Sequence, residues 1–426
     1  MELKELHQRF LESSGVSTDT RAITQDCIFF ALRGANFNGN EFAHEALKKG
    51  ARYVVIDDLK FHLNTGQTIL CKDVLTRLQQ LATYHRNQLG LPIVSITGSN
   101  GKTTSKELIH AVLAQKFDTF ATRGNYNNHI GVPLTLLNMT ARTEIGVVEM
   151  GANNHGEIDA LCQIALPDYG YITNFGKAHI EGFGSLEGVV KAKSEMYRHL
   201  AKTNKTVFVN GNDQKQLDLT ASMDRITFGK DGTDYPISLL EVDPFVKVRY
   251  KDTLIKSQLI GTYNFHNIAA SIAIGQHFGV SEEQIKTAIE AYVPSMNRSE
   301  IVRKNGKEIT LDAYNANPTS MQAALEHFLK VNKGQGAVIL GDMFELGETA
   351  AAEHQAIADL LAKETNMEVY LVGQNFYGVE KSAAHLSTYP SFEALSEQLN
   401  KQPINAEKIL IKGSRGMALE RCLDLL

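Results

Sequence analysis

The sequence predicts an α/β protein of three domains: a small α/β unit, a central doubly wound sheet and a C-terminal Rossmann-like unit. Short apolar runs alternate with helical patterns along most of the chain, as parallel strands with crossover helices require. The length of 426 residues exceeds what one hydrophobic core normally serves. Two breaks, at Gly90-Leu91-Pro92 and around Pro294, divide the chain into residues 1–90, 91–293 and 294–426.

In the first unit Cys27 to Leu32 reads as a short strand, Glu41 to Lys49 as a helix and Arg52 to Ile56 as a second strand, followed by a helix from about Val74 to Gln88. The strand Ile93 to Ile96 opens the second unit and runs into a Gly-rich turn and a helix starting near Lys102. Apolar runs at Ile145 to Met150, Tyr169 to Thr173 and Thr206 to Val209 continue the doubly wound pattern. The third unit offers strands at Ile309 to Leu311, Ala337 to Leu340, Val369 to Val372 and Lys408 to Ile411, with a glycine at or soon after each end.

Composition excludes several functions. The net charge is −5 and no dense Lys/Arg block occurs, so the electrostatic footprint of a nucleic-acid binder is missing. The N-terminal residues lack the basic-then-apolar layout of a signal peptide, and no apolar run reaches membrane-spanning length. A cytoplasmic location without stable membrane insertion is therefore expected, and a monomer. Cys27, Cys71, Cys162 and Cys422 form no C-x-x-C pair, which argues against a thiolate zinc site or a disulfide framework.

The chemistry starts at Gly98-Ser99-Asn100-Gly101-Lys102-Thr103-Thr104. Between a strand and a helix, such a loop can cradle a polyphosphate with backbone N–H groups, while Lys102 neutralises phosphate charge and the Thr103 hydroxyl ligates Mg²⁺. Only two residues separate its glycines, where the usual P-loop has four. Glu149 ends a strand, the position where open α/β sheets bind ligands and where a carboxylate can hold a hard cation. Taken alone, Glu149 reads equally as a surface charge, His179 as a structural histidine, and Lys193 as a solvated helix lysine.

The loop Thr97-Gly98-Ser99-Asn100-Gly101-Lys102-Thr103 resembles the ATP loop of Mur ligases and folylpolyglutamate synthases, and the Mur-ligase resemblance extends over essentially the whole chain. It implies ATP and Mg²⁺ as cofactors, with Thr103, Glu149, His179 and Lys193 at the metals. Lys193, in Lys191-Ala192-Lys193-Ser194-Glu195, matches a lysine that CO₂ converts to a carbamate in that family. The resemblance further places Asn267 on the adenine side, Arg298 at the γ-phosphate and Asp312 at the ribose, and makes Lys102, Glu149, His179 and Lys193 the catalytic group.

Asp312-Ala313-Tyr314-Asn315-Ala316-Asn317-Pro318, Gly341-Asp342-Met343-Phe344-Glu345-Leu346-Gly347 and Lys412-Gly413-Ser414-Arg415-Gly416-Met417 resemble the branch that adds D-alanyl-D-alanine to UDP-N-acetylmuramoyl-tripeptide. The Asp-Asn-Pro-Arg of the tripeptide-forming branch occurs nowhere in the chain. On that resemblance the first domain binds the uridine diphosphate, with Ser17, Thr20, Arg21 and Arg33 as substrate contacts. Asn38-Gly39-Asn40 stands where Asp-Gly-His is common in the family. Asn127 and Asn128 are the expected contacts to the muramoyl peptide. The implied reaction proceeds through an acyl phosphate and needs no enzyme nucleophile. A P-loop NTPase and an inactive nucleotide-sugar binder are the rival readings.

Overall fold

The computed structural model describes residues 1–295 and 297–426. Its first sheet is parallel throughout, in the order Val16–Ser17, Ile28–Phe30, Tyr53–Ile56, Thr68–Leu70. The helix Leu3–Leu11, which the apolar periodicity left unassigned, packs on the helix Val74–Leu89. That second helix also faces the central domain. Arg86 donates to the Leu166 carbonyl at 2.9 Å and to Asp168 at 2.6 Å, and a single buried core is continuous across both units.

The central sheet runs Thr253–Lys256, Lys247–Tyr250, Tyr235–Glu241, Arg225–Gly229, Thr206–Asn210, Tyr169–Ile172, Ile93–Thr97, Ile145–Glu149, Thr119–Ala121. The strands from Thr119 to Gly229 are parallel, and each of Ile93–Thr97 and Ile145–Glu149 is buried along its whole length. Apolar content alone reveals strands of this kind. The sheet ends in an antiparallel extension, Tyr235–Glu241 to Thr253–Lys256, that the sequence pattern did not show. Its strands bury one face only and carry Arg249, Lys247 and Lys256, so their apolar runs are short. The helix Asn264–His277 is buried on nearly every side, which its Ala- and Ile-rich sequence permits.

The C-terminal sheet has the order Glu300–Lys304, Lys307–Asp312, Lys408–Lys412, Gly336–Gly341, Met367–Val372, Leu386–Tyr389. All neighbours are parallel except the first pair. The four expected strands form its centre. The two edge strands were not foreseen, because an edge strand needs no continuous apolar run.

Candidate active site

The sheet topology brings the ends of Ile93–Thr97 and Ile145–Glu149 side by side, and the loops that leave them open on one cavity of about 590 Å³. The phosphate loop forms its floor. Gly98 has φ +139°, and a Cβ there would meet Thr173 Oγ1 at 2.0 Å. Gly101 has φ +79°, and its Cβ would meet Asn267 Oδ1 at 2.6 Å. Both glycines are thus required by backbone conformation and by close approach.

The loop is fastened from the neighbouring strand end. Thr173 Oγ1 donates to the Asn100 carbonyl at 2.6 Å, Asn174 Nδ2 donates to the same oxygen at 3.0 Å, and Asn100 N–H donates to Asn174 Oδ1 at 3.1 Å. Helix Lys102–Leu113 starts directly behind with no side-chain cap. Its first-turn N–H groups, which have no partner within the helix, are free to serve an anion. Lys102 Nζ lies folded onto the loop and donates to the Gly98 carbonyl at 2.7 Å. Burial lowers its pKa against the opposing pull of Glu149, and Arg298 lowers it further.

Glu149 is only 1% exposed, which decides its character, since a buried carboxylate must have partners. Oε1 accepts from Asn127 Nδ2 at 2.8 Å and from Thr103 Oγ1 at 3.3 Å, while Oε2 has no hydrogen-bond partner among the described residues. His179, with φ +54°, lines the same cavity, and its Nδ1 is in close contact with Glu345 Oε2 of the C-terminal domain. Burial lowers the imidazole pKa, opposed by Glu345. Lys193 is buried, donates from Nζ to the Ala152 carbonyl at 3.1 Å, and lies over the Phe183 ring. Burial takes its pKa well below the ordinary lysine value, and Lys102 adds to the effect.

No group of three or more His, Cys, Asp or Glu side chains forms a metal cage among the described residues. The donors fit a hard cation nonetheless. A hydroxyl, a buried carboxylate with one unengaged oxygen and an adjacent phosphate loop match Mg²⁺, which takes one or two carboxylates and completes its shell with water and phosphate.

The C-terminal domain supplies the opposite wall. Arg298 lies 3.6 Å over the Tyr314 ring, between two left-handed residues, Asn297 and Ser299. Asp312 Oδ1 accepts from Ser299 N–H at 3.1 Å, and Asp312 Oδ2 is paired with Lys412. Asn267 is oriented by Ser105, which donates to its Oδ1 at 2.9 Å, and by its own donation to Asn264 at 2.7 Å.

The structure therefore brings Ser99, Asn100, Gly101, Lys102, Thr103, Thr104, Asn127, Asn128, Glu149, His179, Asn267, Arg298 and Asp312 to one cavity, with Gly98 and Lys193 fastened to its lining. It does not bring Ser17, Thr20, Arg21 or Arg33 there. Arg21 is exposed and paired with Asp19, and Arg33 donates to Asp57 at 2.8 Å. Asp57 also accepts from the buried Asn40, which gives Asn38-Gly39-Asn40 a structural part in this domain. Asn174, Tyr314, Asn317, Glu345 and Lys412 were not singled out by sequence reasoning. Most stand within recognised motifs, but their contacts cross domain or strand boundaries that no local spacing records.

A P-loop-like nucleotide site on a doubly wound sheet, covered by a separate Rossmann-like domain, defines an ATP-dependent ligase architecture. The chain belongs to the Mur ligase family. The family models described as Mur ligase family catalytic domain, Mur ligase middle domain and Mur ligase glutamate ligase domain match residues 12–84, 96–275 and 297–415. The chain is 34% identical over 420 residues to the UDP-N-acetylmuramoyl-tripeptide--D-alanyl-D-alanine ligase of Bacillus subtilis, covering 95% of this chain and 91% of that protein. The Escherichia coli enzyme of the same name is 31% identical, covering 99% and 95%. A crystal structure of MurF from Acinetobacter baumannii superposes with a TM-score of 0.86 at 29% identity, over 99% of this chain and 98% of that one. MurF from Thermotoga maritima in complex with ADP gives 0.85 at 27% identity, with 97% of each chain covered.

Proposed function

We propose that this chain is a MurF-type ligase that joins D-alanyl-D-alanine to UDP-N-acetylmuramoyl-tripeptide, with conversion of ATP to ADP and phosphate. The convergence of the phosphate loop, Thr103 and Glu149 with Arg298 and Asp312 of another domain carries the reading. The matches to ligases of that name along nearly the whole chain support it. Such a reaction belongs to cytoplasmic peptidoglycan precursor synthesis, on which cell wall, cell shape and cell division depend. The protein acts as a monomer, with residues 1–90 holding the nucleotide-sugar, 91–293 the ATP and 294–426 closing over it. In this reading Ser17, Thr20, Arg21 and Arg33 serve the uridine diphosphate, and Asn127 and Asn128 the peptide.

The tripeptide's terminal carboxylate attacks the γ-phosphorus, ADP leaves, and the resulting acyl phosphate is attacked by the dipeptide amine. Phosphate then departs, and the amine loses a proton as the amide forms. Lys102 and Arg298 hold the transferring phosphoryl group, and Asn267 and Asp312 orient the nucleoside. Thr103, Glu149 and His179 would hold Mg²⁺, which when bound would supply charge neutralisation on the phosphates and the developing oxyanion. The neutral Lys193 amine would add to CO₂, forming the carbamate N–C bond and releasing one proton to solvent. Its burial favours the neutral amine that this reaction needs, and the carbamate would be an anion able to serve as a metal ligand. Docking of the C-terminal domain excludes water from the hydrolysable intermediate.

The test supplies ATP, Mg²⁺, UDP-N-acetylmuramoyl-tripeptide and D-alanyl-D-alanine. One ADP per pentapeptide is expected. ADP release that ignores the dipeptide would instead identify an NTPase.

A further inference from the structure

Lys106 is the one fully buried lysine on the helix that follows the phosphate loop, one turn beyond Lys102. Placing an ammonium in a dry interior is unfavourable unless it is paired and hydrogen-bonded, so its contacts indicate what it stabilises. Nζ donates to the Thr122 carbonyl at 2.7 Å and to the Gly124 carbonyl at 3.4 Å, and it lies 2.9 Å from Glu107 Oε1. Glu149 Oε2, the carboxylate oxygen without a hydrogen bond, stands 3.9 Å away.

These contacts meet at one segment. Residues 122–128 leave the edge strand Thr119–Ala121 and wrap around Glu149. Thr122 Oγ1 accepts from Glu149 N–H at 3.0 Å, Asn127 Nδ2 donates to Glu149 Oε1 at 2.8 Å, and Gly151 N–H donates to the Asn127 carbonyl at 2.8 Å. The Lys106 ammonium fastens the start of this wrap and stands beside the Glu149 carboxylate, beyond hydrogen-bond range of Oε2. At that distance its Coulomb attraction helps to aim the carboxylate without a hydrogen bond to Oε2, whose lone pairs stay open to a cation.

We propose that Lys106 is a positioning residue that makes Glu149 and the Asn125–Asn128 segment one rigid unit, so that the cation site and the acyl-substrate site are built together. This rests on the ligase reading above. It explains why a charged side chain occupies a position where an apolar one would cost less to bury. It also predicts a selective defect: metal and acyl substrate suffer together, and the dipeptide does not.

The experiment compares wild-type protein with Lys106→Met, which keeps chain length and removes the charge and the donors. Mn²⁺ binding is followed by electron paramagnetic resonance with ADP present, and KM is measured for each of the three substrates. Mn²⁺ affinity should weaken by about tenfold, the size expected when a residue supporting a metal ligand is lost. KM for the UDP-muramoyl-tripeptide should rise with it, while KM for D-alanyl-D-alanine stays at the wild-type value. A folded variant with wild-type Mn²⁺ affinity overturns the proposal, even if its melting temperature or kcat has fallen, because a purely structural lysine would produce that pattern. Should Lys106→Met not fold, Lys106→Gln keeps an N–H donor on a side chain one atom shorter and removes the charge. Weakened Mn²⁺ binding in that variant supports the proposal and unchanged binding overturns it. If wild-type protein binds Mn²⁺ and ADP yet makes no pentapeptide, the substrate reading fails, and the Mn²⁺ titration still decides the role of Lys106.

Discussion

Asn100 and Asn317 exchange side-chain amide hydrogen bonds across the boundary between the central and C-terminal domains. Asn317 Nδ2 donates to Asn100 Oδ1 at 2.7 Å, and Asn100 Nδ2 donates back to Asn317 Oδ1 at 3.4 Å. The same Asn317 Oδ1 accepts from Ser320 N–H and caps the helix Pro318–Asn332. Asn100 sits in the middle of the phosphate loop, so the pair connects that loop to the domain covering it. A double-mutant cycle with Asn100→Ala and Asn317→Ala should give a coupling of about 1 kcal/mol in kcat/KM for ATP, the net worth of a typical hydrogen bond. In thermal unfolding Asn317→Ala should cost about 1 kcal/mol more than Asn100→Ala, because it also removes a helix cap. Additive kinetic effects would show that the pair does not help to close the site.

The contact between His179 and Glu345 joins the same two domains through a different pair. A carboxylate on one ring nitrogen fixes the tautomer and orientation in which the other nitrogen ligates a metal. Glu345→Gln is expected to raise the Mg²⁺ concentration for half-maximal activity by about tenfold and to leave the melting temperature nearly unchanged. An unaltered Mg²⁺ requirement would confine Glu345 to the domain interface.

Lys193 offers a chemical test. Lys193→Ala should abolish turnover, and high bicarbonate should not restore it. Wild-type protein kept in ¹³C-bicarbonate should show a carbamate carbon resonance that the variant lacks. Turnover near the wild-type rate in the variant would remove the carbamate from the mechanism.

A pH dependence of stability follows from His7 and His85, which hold the first helix to the Val74–Leu89 helix. His85 Nε2 faces the Met139 carbonyl at 2.9 Å and therefore donates, so its Nδ1 accepts from His7 Nε2 at 3.0 Å. Burial lowers both pKa values from the ordinary 6.5; the His85 ring lowers that of His7 further, and the Met139 carbonyl partly opposes the shift at His85. The folded state therefore binds fewer protons than the unfolded chain. The pair's contribution is complete above about pH 6.5 and is lost as pH falls below it toward the lowered folded values. Urea midpoints at pH 7.5 and 5.5 should differ more for wild type than for His7→Leu, and equal differences would show that the pair is not titrating.

Much of this was legible in the chain because the determinants are local. The buried parallel strands Ile93–Thr97 and Ile145–Glu149 are continuous apolar runs, and the phosphate loop occupies a few consecutive residues between a strand and a helix. The antiparallel extension at Tyr235–Lys256 and the edge strand Leu386–Tyr389 were missed, since half-exposed strands carry polar residues that blur the pattern. Lys106 could have been suspected from its four-residue spacing after Lys102, which places it on the same helix face. Nothing local says that this face is buried.

The sequence by itself determined the three-domain α/β class, the nucleotide loop with its lysine and threonine, and the strand-end carboxylate. Each depends on backbone geometry spanning a few residues, which residue type and spacing encode directly. Only the tertiary structure decided that Asn317 meets Asn100, that Glu345 reaches His179, that Lys193 and Lys106 are buried, and that Ser17, Thr20, Arg21 and Arg33 lie away from the cavity. Those facts depend on how sheets and domains pack over long separations in the chain, and a side chain's burial and partners do not exist until that packing has formed.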